Sequence, residues 1–378
     1  MIPYNRQTID KNDIESILNV FEENTLLTGG KYVEQFENDI IKYIGCKYAT
    51  AVINGTAALH TALFAIGIQE DDEIIVTSIS FVASANCILY MKAKPIFCDI
   101  NLDNLNIEIS EIEKLITHKT KAILCVDIAG NPCDYDNIIN IAKKYNLLVI
   151  DDAAHSLGGS YKDSKIGNIA DITTFSFHPV KNITTCEGGM VVTNNKQYDE
   201  RSKIFRSHGI NSDFKSRKNY YYEMIELGFN YRIPDPLCAL GSSQLLKLDT
   251  FINTRNMIAE YYNEQFKDFN HLLTPLKTTD KSINAYHLYI VKINLEKIKV
   301  DREYIYNEMK RNNISTNVHY LPIYKHPYYM KNFPCINKKN TEKIFSCILS
   351  LPIYPELKME SVKFISDTLI KILVNNQL

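Results

Sequence analysis

The sequence predicts an α/β fold, with a large domain on a mostly parallel sheet followed by a smaller α+β domain. Three observations predict it. Over the first 250 residues, short β-rich runs alternate with segments of helical period. The β-rich runs are continuously apolar rather than alternating, as expected of parallel strands covered on both faces. From about residue 280 the texture changes to mixed strand and helix.

In chain order, the strands are expected at "YATAV", "EIIVTS", "PIFCDI", "KAILCVDI" and "NLLVIDD", with "DITTFSF" strand-like after them. The helical period is clear in "TAALHTALFAIG" and "CDYDNIINIAKKY". "ALGSSQLLKLDTFINTRNMIAEYYNEQF" reads as one long helix leaving the first domain, so the expected division is 1–250 for the large domain and 251–378 for the small one. Beyond it, "AYHLYIVKIN" reads as a strand, "DREYIYNEMKRNN" as a helix, "ISTNVHYLPIY" as a strand and loop, and "MESVKFISDTLIKIL" as the closing helix. "NSDFKSRKNYYYEMIE" reads as a mobile loop.

Composition narrows the class. A net charge of −2 over 378 residues, with both signs interspersed, gives no electrostatic case for nucleic acid. "IPYNRQTIDKNDI" is polar, so no secretory segment is expected, and no apolar run is long enough to suggest a membrane span. The nine cysteines are scattered, without a CxxC pair. They fit reduced, mostly buried thiols in a cytoplasm, with neither a disulfide framework nor a metal site.

Ligands of parallel sheets bind where strands turn into helices at their C-terminal ends. Four such ends carry candidates. Asn54, Gly55 and Thr56 follow "YATAV" and open a helix, which suits either a phosphate cradle or a plain helix cap. Phe81 follows "EIIVTS", as a core aromatic or a stacking platform. Asp151 and Asp152 end "NLLVIDD" with side chains on opposite faces; a buried carboxylate there needs a cation, and His155 lies three residues on. Lys181 sits in "HPVKNITTCEGG", where Pro179 forbids simple strand continuation. It is either a surface lysine or an amine whose pKa a cleft lowers for covalent chemistry. Taken together, the lysine, the aspartate, the helix-opening turn and the aromatic match pyridoxal phosphate. That cofactor needs an amine, a carboxylate for its ring nitrogen, a phosphate pocket and a stacking partner.

The same motifs carry a resemblance. "IPYNRQTIDKNDI", "LLTGGKYVEQFE", "NGTAALHTAL", "SISFVASAN", "DDAAHSLGGSY", "FSFHPVKNITTCEGGMVVTN", "FRSHGI" and "ELGFNYRIPDPLCALGSSQL" resemble the DegT/DnrJ/EryC1/StrS sugar-nucleotide aminotransferases nearly end to end. The resemblance implies the type I fold of pyridoxal-phosphate-dependent aminotransferases, with 1–250 as the cofactor-binding domain. It implies Lys181 as the Schiff-base lysine holding the cofactor as an internal aldimine, Asp152 on the ring nitrogen, and His155 near the phenolic oxygen. Phe81 would stack on the ring, and Gly55, Thr56 and Ser176 would hold the phosphate with Asn230 of a partner subunit, making the enzyme a homodimer with a shared active site. Substrate contacts are implied for Tyr4, Thr25, Leu26, Leu27, Thr28, Asn54, Ser176, Asn230, Asn317, Val318, His319 and Tyr320.

"FSFHPVKNITT" and "NVHYLPIY" resemble the branch that moves an amino group from L-glutamate to C4 of a UDP-linked 4-keto-6-deoxy-N-acetylhexosamine, toward pseudaminic acid. The rivals are an aminotransferase for another nucleotide-linked keto sugar, at C3 or C4, and a non-catalytic sensor on the same fold. A sugar dehydratase on this scaffold replaces the lysine with histidine, and Lys181 argues against it. Cys186 stands where relatives often carry glycine, and is expected to be a small packing residue.

Overall fold

The computed structural model describes residues 1–23, 26–211 and 219–378. Seven strands form the main sheet: β1 (Tyr48–Val52), β2 (Glu73–Thr77), β3 (Lys94–Cys98), β4 (Thr120–Val126), β5 (Leu148–Asp152), β6 (Ile172–Ser176) and β7 (Gly189–Thr193). Their order is β1-β7-β6-β5-β4-β2-β3. Only β7 runs against its neighbours, antiparallel to both β1 and β6, so six strands deliver their C-terminal ends to one edge.

The continuous apolar runs are explained by two buried faces. Ile75, Ile123, Val149 and Met190 point to one side, against Phe36 and Ile40 of helix Lys31–Ile44 and Tyr135 and Ile138 of helix Tyr135–Tyr145. Ile74, Val76, Leu124, Ile150 and Val191 point to the other, against Leu59 and Leu63 of helix Gly55–Ala65 and Ile88 of helix Ala83–Tyr90. The same alternation sends Asp151 and Asp152 to opposite faces.

A second sheet, β8 (Leu273–Pro275), β9 (Tyr289–Ile293) and β10 (Ile348–Leu351), is antiparallel throughout. Helices Leu248–Phe266, Arg302–Arg311 and Met359–Asn375 cover it with Tyr262, Phe266, Met309, Ile365 and Leu369.

The expected long helix is two helices, Asp235–Leu245 and Leu248–Phe266. No proline or glycine marks the break. Lys247 stands there, with its ammonium 2.6 Å from Asp13 and 2.9 Å from Asp10, a tie to the N-terminal helix that local propensity does not encode. "ISTNVHYLPIY" contains no extended strand; Ile314 bridges Ile2 and Asn317 bridges Ser350 singly. Of the expected mobile loop, 212–218 lie outside the described residues. Among the described residues, no helix is long and apolar enough to cross a membrane.

Candidate active site

The C-terminal edge of the main sheet opens into a cleft of about 630 Å³, lined by Asn54, Gly55, Thr56, Phe81, Asp152, His155, Ser176 and Lys181 from the large sheet's strand ends. Tyr4, Asn317, Val318, His319 and Tyr320 close it from the N-terminal arm and the late segment.

Each wall has a local cause. The Asn54 side chain accepts from the Ala57 N–H at 2.8 Å and starts helix Gly55–Ala65, leaving the Gly55 and Thr56 N–H groups without intrahelical acceptors. A Cβ at Gly55 would lie 2.8 Å from the Ser176 Cβ, and one at Gly189 would lie 2.4 Å from the Asn54 carbonyl oxygen. The turn is therefore pressed against β6 and β7 with room only for backbone, a small cradle suited to an anion.

Lys181 is fixed by the loop around it. The Thr184 hydroxyl donates to the Phe177 carbonyl at 3.1 Å, and the Thr185 N–H donates to the same carbonyl at 3.0 Å. The Asn182 amide donates to the carbonyls of Leu157 at 2.9 Å and His155 at 3.3 Å, tying the lysine loop to the segment after β5. Burial pushes the Lys181 amine down to about 8, while the charge of Asp152 draws it back up. No hydrogen bond or ion pair among the described residues holds its ammonium. That combination is what an amine nucleophile requires.

Asp152 is buried and accepts from the Ser84 hydroxyl at 2.7 Å and the Ala154 N–H at 3.2 Å. Burial still raises its carboxyl, against the pull of those donors and of Lys181. A cation arriving against it would complete its ionisation. His155 meets the Tyr320 hydroxyl through Nε2 at 3.2 Å, and its Nδ1 is buried without a partner. Desolvation first, then Lys181 and His319, hold its imidazole well below the usual range, so it is neutral. His319 is likewise pushed down to about 4 by burial, with Nδ1 at 2.8 Å from the Ser350 hydroxyl. Phe81, 57% exposed, stands at the mouth rather than in the core, 6.2 Å from the Tyr320 ring. Ser84 and Asn182 lie inside "SISFVASAN" and "FSFHPVKNITTCEGGMVVTN", where other residues draw the attention, and His287, which also lines the cleft, lies in no such motif.

Four expected substrate or phosphate residues are not brought to this cleft within one chain. Thr28 lines a second cleft of about 780 Å³, together with Arg206, Ser207, His208 and Arg232. Asn230 is exposed and bridges Ser207. Leu26 and Leu27 are exposed just before Thr28, and Thr25 lies outside the described residues. Cys186 corrects the expectation of a packing residue: it is exposed, at φ +64°, the left-handed region in which glycine is favoured.

The sequence profile described as the DegT/DnrJ/EryC1/StrS aminotransferase family matches residues 7–370. The chain belongs to the DegT/DnrJ/EryC1/StrS aminotransferase family. It is a pyridoxal-phosphate-dependent transaminase with the fold of that group. The chain is 40% identical over 376 residues to the UDP-4-amino-4,6-dideoxy-N-acetyl-beta-L-altrosamine transaminase of Campylobacter jejuni, covering 99% of this chain and 98% of that one. Helicobacter pylori PseC, an aminotransferase involved in the biosynthesis of pseudoaminic acid, superposes with a TM-score of 0.93 at 35% identity, covering 99% of each chain. The sugar aminotransferase Spr1654 of Streptococcus pneumoniae, solved in a PLP form, superposes with a TM-score of 0.91 at 27% identity, again covering 99% of each chain. The cradle at Gly55, the unpartnered Lys181 amine and the orphaned His155 Nδ1 fit that cofactor.

Proposed function

We propose that this transaminase moves an amino group from L-glutamate to C4 of a UDP-linked 4-keto-6-deoxy-N-acetylhexosamine, on a route to pseudaminic acid or a related surface sugar. The observation that carries the reading is the cleft itself, which joins Lys181, Asp152 and the Gly55–Thr56 cradle in a chain 40% identical to a transaminase named for such a sugar product.

When bound, pyridoxal phosphate supplies an electrophilic carbonyl and a ring that stores the electron pair released at the donor's Cα. The chain's own residues do the rest. With the cofactor in place, Lys181 Nζ would take the proton from the donor Cα and hold it for return on the far side of the nitrogen being transferred. Asp152, held by Ser84 and Ala154, would be the anion that receives the ring N–H, and that cation would offset the burial that raises its carboxyl. The Gly55 and Thr56 N–H groups and Ser176 would hold the phosphate, Phe81 would stack on the ring, and neutral His155 would donate toward the phenolic oxygen. Tyr4, Asn54 and Asn317 to Tyr320 bind the sugar from the opposite wall.

The enzyme works as a cytoplasmic homodimer in this reading. Asn230, Thr28, Leu26 and Leu27 face a second copy and complete its site; the exposed Leu227 and Phe229 beside Asn230 support that contact. The division into 1–250 and 251–378 belongs to the same proposal. An assay of UDP- and GDP-linked 4-keto sugars with glutamate, with the new amine located by NMR, tests the substrate. Amination at C4 of the UDP-linked N-acetylhexosamine is expected; turnover of a GDP-linked sugar alone would contradict it.

A further inference from the structure

The mechanism leaves unused a group directly behind its histidine. His287, 3% exposed, packs its ring on that of His155 with centroids 4.4 Å apart and planes tilted by 38°. Of the two His155 ring nitrogens only Nε2 has a polar partner, the Tyr320 hydroxyl. That single hydrogen bond leaves the imidazole free to rock about its own direction; a flat ring against its face removes the freedom.

His287 is itself pinned through its backbone. Its carbonyl accepts from the Asn5 amide at 3.1 Å and from Arg255 Nη1 at 3.4 Å, and the same Nη1 donates to the carbonyls of Tyr286 at 3.1 Å and Ile353 at 2.9 Å. Arg255 is 1% exposed, and no carboxylate among the described residues pairs with it. A guanidinium buried without a counterion is costly unless carbonyl dipoles satisfy it, and here two of the three, those of Tyr286 and His287, belong to the segment that carries His287.

We propose that His287 is a positioning residue for the transamination site, anchored by Arg255 and Asn5, whose ring braces His155 in one orientation toward Tyr320 and the cofactor. The titratable groups around the pair are Lys181, His319, Arg255, Asp152 and Tyr320. Burial first, then His155, Lys181, Arg255 and His319, hold His287 itself well below the usual imidazole range. The brace is therefore a contact of two neutral rings, which a phenyl ring can replace. The inference rests on the reading of Lys181 given above.

The test compares wild type, His287→Ala and His287→Phe as full chains reconstituted with pyridoxal phosphate. Circular dichroism checks the fold, while kcat and KM and the pH midpoint of the visible cofactor band report the site. His287→Ala is expected to lower kcat about 10- to 100-fold with KM little changed and to move the midpoint of the band. His287→Phe should restore kcat to within about threefold of wild type and return the midpoint, since the flat ring remains. If His287→Ala does not fold, His287→Leu, which fills volume without a flat face, takes its place with the same expectation. Wild-type kcat and midpoint in the truncated variant would overturn the proposal. So would a His287→Phe no better than His287→Ala, which would assign the effect to the ring nitrogens. A wild type that shows no visible band would instead overturn the reading of Lys181, a failure visible before any variant is made.

Discussion

The two large clefts of this chain differ in what their walls can do. The cleft at the sheet edge, about 630 Å³, holds one lysine whose amine is pushed down to about 8, one buried carboxylate and buried neutral histidines at 155, 287 and 319. The second, about 780 Å³, is the larger, yet two of its cations are engaged elsewhere: Arg206 meets Glu37 at 2.5 Å and Lys203 meets Asp199 at 2.6 Å. Size does not mark the chemistry; desolvation of an unpaired amine beside an acid does. Of the residues that the family resemblance assigns to one active site, Thr28 lines the second cleft, and Leu26, Leu27 and Asn230 stand exposed outside the first. A contact between two chains, each offering its second cleft to the other's first, would reunite them.

The largest effect that can break this comparison is at Asp152. Asp152→Asn keeps the shape of the first cleft and removes its anion, and should cut kcat by about 100-fold or more while cofactor still binds. Wild-type turnover would show that the carboxylate is not the ring's partner. A mixing experiment sharpens the division between clefts. Asn230→Ala and Lys181→Ala should each be impaired alone. Co-refolded one to one, they should recover about a quarter of the wild-type sites, because half the dimers pair an intact lysine with an intact asparagine once. Absence of recovery would place Asn230 outside the shared site. The smallest effect is expected at Ser84→Ala, which removes one hydrogen bond to Asp152 and should cost about tenfold in kcat. A thermal melt like that of wild type would show the loss is local.

The six parallel strands and the chemistry at their ends were legible because both are local, whereas the antiparallel strand Gly189–Thr193 between two of them was not expected. Each apolar run maps onto a strand of the main sheet, and Lys181, Asp152, Gly55 and Phe81 stand where the runs stop. Ser84 and His287 were not legible, since their roles depend on register across distant segments: 68 residues separate Ser84 from its aspartate. The break at Lys247 escaped for the same reason, set by Asp10 and Asp13 over 200 residues earlier. Cys186 was misjudged because its exposure and left-handed φ follow from the turn it occupies, which the residue's size does not disclose.

The central claim is that Lys181 is the amine on which the cofactor is carried. Borohydride reduction of the reconstituted protein, followed by peptide mass mapping, tests it directly. The account predicts a single pyridoxyl-phosphate label, on Lys181, and none in Lys181→Ala. A label retained in that variant, or found on another lysine of the wild type, would contradict it.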